Sequence, residues 1–332
     1  MEVKMQNKTY NTRALAEAGL TIALTVIIML VNIYVPIASL VANFIVPIPI
    51  TILYIRHNYK VTLISVIASG IFIAMFYNPI YAISSMIMVG FTGVVLGYCV
   101  KNKKNFGTTI IFLSIAMALG TTIYTTIYIT LMSNDGIYGF VSKIVKNFNQ
   151  SMEISKSIYQ QAGVSSSQLA PIEDLIKMFT PEYIMRLIPG VIIASSVILA
   201  YLNYTITRVV LKKLKYEVNE AKPFNQWYMN TRIGTLVGVI LVLGILFNRN
   251  NMAIGQYLIN SSGLILELVF LLDGVSLITY YLMNRYKVSK KIIVLIIVFT
   301  VMTKLSLVYG LAGFIDMVFD FRKLDPYRKL KK

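Results

Sequence analysis

The hydrophobic residues of this chain are grouped into long runs, and the charged residues stand in short clusters between them. A helix needs ~20 mostly apolar residues to cross the hydrocarbon of a bilayer, where the backbone must satisfy its own hydrogen bonds. Runs close to this length predict eight spans, at about residues 13–34, 36–55, 61–76, 80–100, 108–132, 180–210, 233–247 and 264–283. A further apolar stretch covers residues 292–321. The pattern therefore predicts an all-α transmembrane helix bundle of eight or nine spans.

Two prolines and one polar segment interrupt this pattern. Pro47 and Pro49 lie inside the second run and are predicted to bend or break it, because proline removes a helix hydrogen bond. Residues 133–180 are polar and carry charges of both signs, so we expect this segment outside the membrane. One helical face of it is apolar and predicts an amphipathic helix, through Phe140, Val141, Ile144, Val145, Phe148 and Met152.

The charge distribution predicts the orientation of the spans. The chain has 31 Lys and Arg residues against 14 Asp and Glu, a formal net charge of +17. Cytoplasmic loops of membrane proteins carry most Lys and Arg, so Lys4, Lys8 and Arg13 predict a cytoplasmic N-terminus. Every later basic cluster up to Lys291 then falls on the same side. This placement explains the positive charge without a nucleic-acid partner.

The last apolar stretch conflicts with this rule, because a ninth crossing would place the basic tail outside. Either one long tilted helix crosses and leaves the tail external, or the chain bends near Lys304 or Gly310 and returns to the cytoplasm. The charges favour the return. The chain is thus divided into a six-span part at residues 1–211, which includes the external segment, and C-terminal helices with a basic tail at residues 212–332.

Composition limits the chemistry that the chain can perform. It is 57% hydrophobic and 14% charged, with a mean hydropathy of +0.70. Cys99 is the single cysteine and His57 the single histidine, which excludes intramolecular disulfides and the common Cys/His metal sites. No GxxxxGK[ST] nucleotide loop is present, and no nucleophile, base and orienting group fall into a catalytic spacing. We therefore expect no enzyme activity, no metal and no cofactor.

Three segments of the C-terminal half carry a resemblance to a known family. They are "RLIPGVIIASSVILAYLN", "KPFNQW" and "GFIDMVFDFRKL", which contain Pro189, Pro223, Phe224, Trp227, Gly313, Asp316, Phe321 and Arg322. In these residues the chain resembles the YybS-like family of uncharacterised integral membrane proteins, found mainly in Firmicutes. The resemblance implies a multi-pass protein of the bacterial plasma membrane.

The first six spans, with "RALAEAGLTIAL" and "IVPIPITILYIRHNYK", resemble the substrate-binding S subunits of energy-coupling factor transporters. Those subunits have six helices, and small residues at four-residue spacing on their first helix pack against a partner. Ala14 and Ala18 repeat that spacing and are candidate partner contacts, although small residues allow close helix packing in any membrane bundle. This resemblance implies a solute-binding function and a membrane coupling subunit as partner.

Charged residues inside the apolar runs are candidate functional residues. Glu267, Asp273 and Lys304 are predicted at membrane depth, where a charge must pair or face water. They form either an acid–lysine pair that joins the last stretch to span eight or part of a pathway for ions or substrate. Glu267 and Asp273 are six positions apart and face different sides of a helix. Arg186, near the outer end of span six, is either an interfacial anchor or a contact for an anionic substrate.

The segment "GFIDMVFDFRKL" carries the last candidate site. Asp316 and Asp320 are four residues apart, which predicts a shared helical face, and Arg322 follows at the expected cytoplasmic boundary. We interpret the three residues as a charge lock that needs little desolvation, in preference to a catalytic site. The leading hypothesis for the whole chain is a solute-binding or transport-related membrane protein with an unknown small-molecule ligand. The alternative is a scaffold or regulator of cell-envelope proteins.

Overall fold

The computed structural model describes residues 12–133, 135–221 and 223–325. Lys4, Lys8 and the basic tail beyond residue 325, which entered the orientation argument, lie outside these ranges. The described helices are α1 (Thr12–Tyr34), α2 (Pro36–Ile45), α3 (Pro47–Arg56), α4 (Tyr59–Phe76), α5 (Pro79–Lys101), α6 (Phe106–Met132), α7 (Gly136–Gln161), α8 (Ser166–Met178), α9 (Pro181–Lys213), α10 (Thr231–Arg249), α11 (Ile254–Asn284), α12 (Lys290–Val301) and α13 (Ser306–Phe319). A single 3-10 turn at Phe224–Gln226 precedes α10.

The predicted all-α membrane fold is confirmed. Seven of the described helices are long and apolar enough to cross a bilayer, and the bent pair of α12 and α13 makes an eighth if it counts as one span. The difference from the predicted eight or nine comes mainly from the second run. Pro47 begins a new helix, so that run forms two helices of 10 residues each. Each is about 15 Å long, which is half the hydrocarbon thickness.

The chain folds into two compact units that alternate along the sequence. Of the described residues, one unit contains 12–133, 135–137 and 195–221, and the other contains 138–194 and 223–325. The division passes through α9, whose first part belongs to the second unit. The boundary at residue 211 was drawn from hydropathy and charge, which is a different criterion, and it stays a prediction about membrane domains.

In the first unit, the proline-rich helix α3 packs directly on α5. A Cβ atom at Gly93 would lie 2.7 Å from Ile50 Cγ2, and one at Gly97 would lie 2.6 Å from Tyr54 Cβ. The hydroxyl of Thr51 is within hydrogen-bond distance of the carbonyls of Pro47 (2.9 Å) and, across the interface, Gly93 (3.3 Å). Small residues at four-residue spacing therefore let these two helices approach to backbone contact.

The loop after α9 covers one end of the first unit through polar contacts. Tyr216 accepts a hydrogen bond from Arg56 Nε (2.9 Å), and Glu217 pairs with Lys103 (2.8 Å). The hydrogen bond from Lys103 lowers the pKa of the Glu217 carboxyl. The Asn219 carbonyl accepts a hydrogen bond from the buried Tyr204 hydroxyl at 2.7 Å. These contacts hold the loop against the basic end of the unit.

In the second unit, α7 and α8 form a helical hairpin within the polar segment. The predicted amphipathic helix lies in α7, where Val141 and Val145 are buried. The rings of Phe148 and Phe179 are 4.1 Å apart between centroids. Helix α8 was not singled out from the sequence. The location of this hairpin outside the membrane stays a prediction, because it rests on charge balance.

The last apolar stretch is not one straight helix. Helices α12 and α13 meet at an angle of 110°, and the break between them contains Lys304. The hydroxyls of Thr300 and Tyr309 approach to 2.6 Å across the bend. The predicted bend near Lys304 is therefore confirmed, while the return of the chain to the cytoplasm stays a prediction.

A serine of α11 forms hydrogen bonds with backbone groups of α9 beside Pro189. The amide of Gly190 donates to Ser261 Oγ (3.1 Å), and the same hydroxyl donates to the carbonyl of Arg186 (3.0 Å). The hydroxyl thus stands between two groups that would bond each other in an uninterrupted helix. In hydrocarbon, an unpaired backbone group costs several kcal/mol. The hydroxyl of Ser261 therefore replaces the backbone hydrogen bond that α9 lacks beside Pro189.

Replacing Ser261 with alanine should therefore destabilise the second unit. We expect a loss of about 1–3 kcal/mol, because a buried donor and a buried acceptor lose their shared partner. Thermal unfolding of the detergent-purified protein measures the effect. Ser262→Ala is the matched control, because Ser262 is also buried but its hydroxyl bonds only within α11, to Leu258 and Ile259 carbonyls. Equal losses of stability for Ser261→Ala and Ser262→Ala would contradict this role of Ser261.

Candidate functional site: a buried charge centre

The candidate site depends on the close approach of α11 and α13. A Cβ atom at Gly274 would overlap the carbonyl of Tyr309, and one at Gly313 would overlap the carbonyl of Phe270. Only glycine fits at these two positions, and the helices meet backbone to backbone. Asp273 and Asp316 flank this crossing, so the contact brings their carboxylates to the same place.

A tight turn after α13 returns the chain to the crossing. Asp320 ends the helix in the left-handed conformation (φ 49°, ψ 56°), and its amide donates to the carbonyl of Asp316 at 2.7 Å. Aspartate tolerates this conformation better than most residues. Its carboxylate then accepts hydrogen bonds from the amides of Leu324 (2.7 Å) and Asp325 (3.1 Å). The turn directs Arg322 back toward α11.

The guanidinium of Arg322 connects three segments of the second unit. Its Nε and Nη2 atoms lie 2.9 and 2.8 Å from Asp316 Oδ2, and Nη2 lies 2.5 Å from Asp273 Oδ1. Nη1 donates to Ser276 Oγ (2.6 Å) and to the carbonyl of Asn225 (3.2 Å). The Arg322 side chain is 0% exposed, and that of Asp273 is 2% exposed. We call Asp273, Asp316, Arg322 and Ser276 the charge centre.

Ser276 links the charge centre to the segment before α10. Its hydroxyl lies 2.7 Å from the carbonyl of Phe224 and 2.8 Å from that of Trp227, and its single proton serves one of them at a time. The same oxygen accepts the hydrogen bond from Arg322. Trp227 is the single tryptophan of the chain, so its fluorescence reports on this site alone.

The charges of the centre do not balance. Two carboxylates face one guanidinium, and Asp273 Oδ2 is buried without a hydrogen bond of ordinary geometry to the described residues. A buried, uncompensated charge costs far more than a paired one. One further positive charge on the carboxylate pair, such as a shared proton, would neutralise the centre. The arrangement can therefore hold a proton as well as fix helices.

Comparison with known proteins gives the relationship of the chain. The family described as "Predicted membrane protein (DUF2232)" matches residues 23–317. The chain belongs to this family. It is similar to "Uncharacterized protein YybS" of Bacillus subtilis (strain 168), with 24% identity over 316 residues, which cover 94% of this chain and 98% of that protein. No solved structure matches the chain.

These findings confirm the predicted YybS-like family and a multi-pass membrane protein. The comparisons do not show the resemblance of the first six spans to S subunits, which stays a prediction. The DUF2232 match contains Asp273 and Asp316 of the charge centre and ends before Arg322.

The sequence predictions for the charged residues need three corrections. Asp273 does pair with a cation, but the cation is Arg322, because Lys304 lies exposed in the break between α12 and α13. Asp320 does not share a face of α13 with Asp316, since the helix ends at Phe319 and Asp320 caps the turn that follows. The expected pairing with little desolvation is also wrong, because Asp316 and Arg322 are fully buried as side chains.

The other candidate residues lie away from the charge centre. Glu267 is exposed on α11, and Arg186 is half-buried in α9. In the first unit, Ala18 is 8% exposed and Ala14 is half-buried. Helix α1 packs on α2, α3 and α4, so Ala18 serves internal packing and is not free to contact a partner.

Two members of the site were missed in the sequence. Ser276 and the carbonyl of Asn225 complete the coordination of the guanidinium. Ser276 lies three residues after Asp273 on α11, a spacing that puts both on one face and was a usable signal. The carbonyl of Asn225 had no signal, because a backbone acceptor is the same at every position.

Removing the cation should destabilise the charge centre strongly. We expect Arg322→Met to lower stability by about 3–5 kcal/mol, since two buried carboxylates lose their common partner. The measurement is the yield of monodisperse protein in detergent together with its unfolding temperature. Lys323→Met is the matched control, because Lys323 is adjacent but exposed. Wild-type stability of the Arg322 variant would show that the centre does not hold the helices together.

Proposed function

We propose that the protein is a transport-related membrane protein that binds a small polar solute and whose charge centre takes up and releases a proton. The energy for such a function comes from an ion gradient or from a partner, since the chain has no nucleotide loop. The observation that carries the proposal is helix α11, which has a buried carboxylate on one side and a partly exposed polar face on another.

The polar face of α11 supports the solute-binding part. Gln256, Asn260, Gly263 and Glu267 follow at spacings of 4, 3 and 4 residues and therefore lie along one side of the helix. A Cβ atom at Gly263 would meet nothing within 4 Å, and Glu267 is exposed. Polar and ionisable residues in a membrane helix commonly line a path for ions or substrate.

The position of Arg186 also supports this part. Its backbone carbonyl bonds to Ser261, one residue beyond Asn260, so this turn of α9 lies beside the polar face. The side chain of Arg186 is half-buried. A cation and a carboxylate near one face suit a polar solute that carries charge of either sign.

The charge imbalance supports the proton-coupled part. Within the described ranges, the groups that act on the carboxylates of Asp273 and Asp316 are the guanidinium of Arg322 and the backbone amides of Phe321 and Met229. Asp320 is occupied by the backbone of its own turn. A proton retained by the folded protein and absent from the unfolded chain makes stability fall as the pH rises.

The release of the proton should be detectable in the stability and the Trp227 fluorescence of the full-length protein. We expect stability to fall by up to ~1.4 kcal/mol per pH unit between the pH at which the carboxyl of the unfolded chain ionises and the higher pH at which the folded charge centre releases its proton, and to level off above that. The emission of Trp227 should change around the pH at which the folded charge centre releases its proton, because Ser276 and Arg322 hold its segment. Asp273→Asn should abolish both changes, since the amide carries no charge.

Asp174→Asn is the control, because Asp174 lies exposed on α8. The control should titrate as the wild type does. If Asp273→Asn had the same pH profile as the wild type, the proposed uptake and release of a proton by the charge centre would be contradicted.

A ligand screen tests the solute. A panel of metabolites, measured by unfolding temperature, should include a compound that stabilises the protein, by ~2.7 kcal/mol at 100 times its Kd. Glu267→Gln should reduce that stabilisation, whereas Glu153→Gln on α7 should not. Stabilisation by no compound would contradict solute binding and would favour the second candidate.

The second candidate is a membrane scaffold or a regulator of cell-envelope proteins. The closed charge centre favours it, because side chains that are 0–2% exposed act on the packing of their own unit. A photocrosslinker at Leu15, which is 70% exposed on α1, separates the two. Capture of a transporter coupling subunit would favour transport, and capture of cell-envelope proteins would favour the scaffold.

A further inference from the structure

A large apolar groove runs between α11 and α12 in the second unit. Its volume is about 760 Å³, within the range of cavities that hold small ligands. Leu271, Val275 and Met283 line it from α11, and Val294 and Val298 line it from α12. Residues 223–226 form another part of the wall. The groove is therefore built mainly from aliphatic side chains.

The length of the groove matches one leaflet of a bilayer. Helix α12 has 12 residues, which corresponds to about 18 Å. Half of the hydrocarbon core of a bilayer is about 15 Å thick. Lining residues lie along α12 from Lys290 to Val301, which are its two ends. An extended acyl chain of one leaflet fits this length.

The polar end of the groove carries positive charge. Lys290 is among the lining residues. Arg285, Lys287 and Lys291 are its near neighbours in sequence, and all four side chains are exposed. Across the part of the chain that the structure describes, none of the four forms an ion pair. A ligand with an acyl chain and a negative headgroup complements both the apolar wall and this end.

The N-terminus of α12 adds to this complementarity. Ser289 occupies the N-cap position without a side-chain hydrogen bond to the helix. The free amides of a first helical turn favour negative charge nearby. They lie beside Lys290, at the same end of the groove.

We propose that the groove binds an anionic phospholipid, with one acyl chain between α11 and α12 and its phosphate at Lys290. The bound chain covers aliphatic side chains of both helices. Since α11 also carries Asp273 and Ser276, the lipid stabilises α12 against the helix that holds the charge centre. This site is independent of the proposed solute and proton.

The test uses delipidated full-length protein in a non-ionic detergent. Unfolding temperature is measured while phosphatidylglycerol is titrated into the micelles, with phosphatidylcholine of the same acyl chains in parallel. Phosphatidylglycerol should raise the unfolding temperature at lower concentration. Native mass spectrometry of the same samples should show one retained phosphatidylglycerol per chain.

Two pairs of variants localise the site. Lys290→Gln should weaken phosphatidylglycerol binding about fivefold, the factor expected for one basic residue at an anionic lipid surface. Lys146→Gln, at an exposed position of α7 outside the lining, has the same change in net charge and should bind as the wild type. Val294→Phe fills the groove and should abolish retention of the lipid. Leu295→Phe, at an exposed α12 position outside the lining, should not.

Three results would overturn the proposal. The first is equal stabilisation by the two lipids, which would mean that the groove does not select for negative charge. The second is wild-type lipid binding by both Lys290→Gln and Val294→Phe. The third is a dimer of the delipidated protein that Val294→Phe dissociates, because the groove would then hold a second copy of the chain.

Discussion

The burial of the Arg322 guanidinium determines how several segments of the second unit are placed relative to one another. Arg322 is 0% exposed and reaches acceptors on α11, on α13 and in the segment before α10. A charge in such surroundings is tolerated only when its donors are matched by well-placed acceptors. The positions of these segments are therefore coupled, since a shift of any one leaves a buried polar group without its partner.

The same constraint explains features that lie away from the charge centre. Lipid supplies no hydrogen bonds, so a helix that loses one must find a replacement within the protein. Ser261 supplies it beside Pro189, and Thr51 bonds to the carbonyl of Gly93 in the first unit. The glycines at these interfaces allow backbones to come close enough for such short side chains to reach across.

Helix α11 connects the separate observations on the second unit. It contributes Ser261 to the repair of α9, Gly274 to the crossing with α13, and Asp273 to the charge centre. It also lines the apolar groove through Val275. A rigid helix with several distinct faces transmits a change at one face to the others, because its backbone moves as a unit.

The sequence by itself determined the features that depend on local chemistry. Hydropathy gave the membrane helices, Pro47 marked the start of α3, and the basic tail indicated a bend that the structure has at Lys304. Each of these follows from the order of apolar, charged and proline residues along the chain. The three charged residues of the charge centre were also recognised, because charges in apolar runs need a partner.

Only the tertiary structure decided which partners meet. Asp273 lies 49 residues from Arg322 and bonds to it, whereas the nearer Lys304 is exposed. Asp320 does not lie on the same helical face as Asp316, because the helix ends before it and Asp320 adopts the left-handed conformation. Ser276 met Arg322 through the crossing at Gly274 and Gly313, and Asn225 met it because the 3-10 turn packs on α11. Pairing over such distances depends on how whole helices pack, and the spacing of residues along one helix does not contain that information.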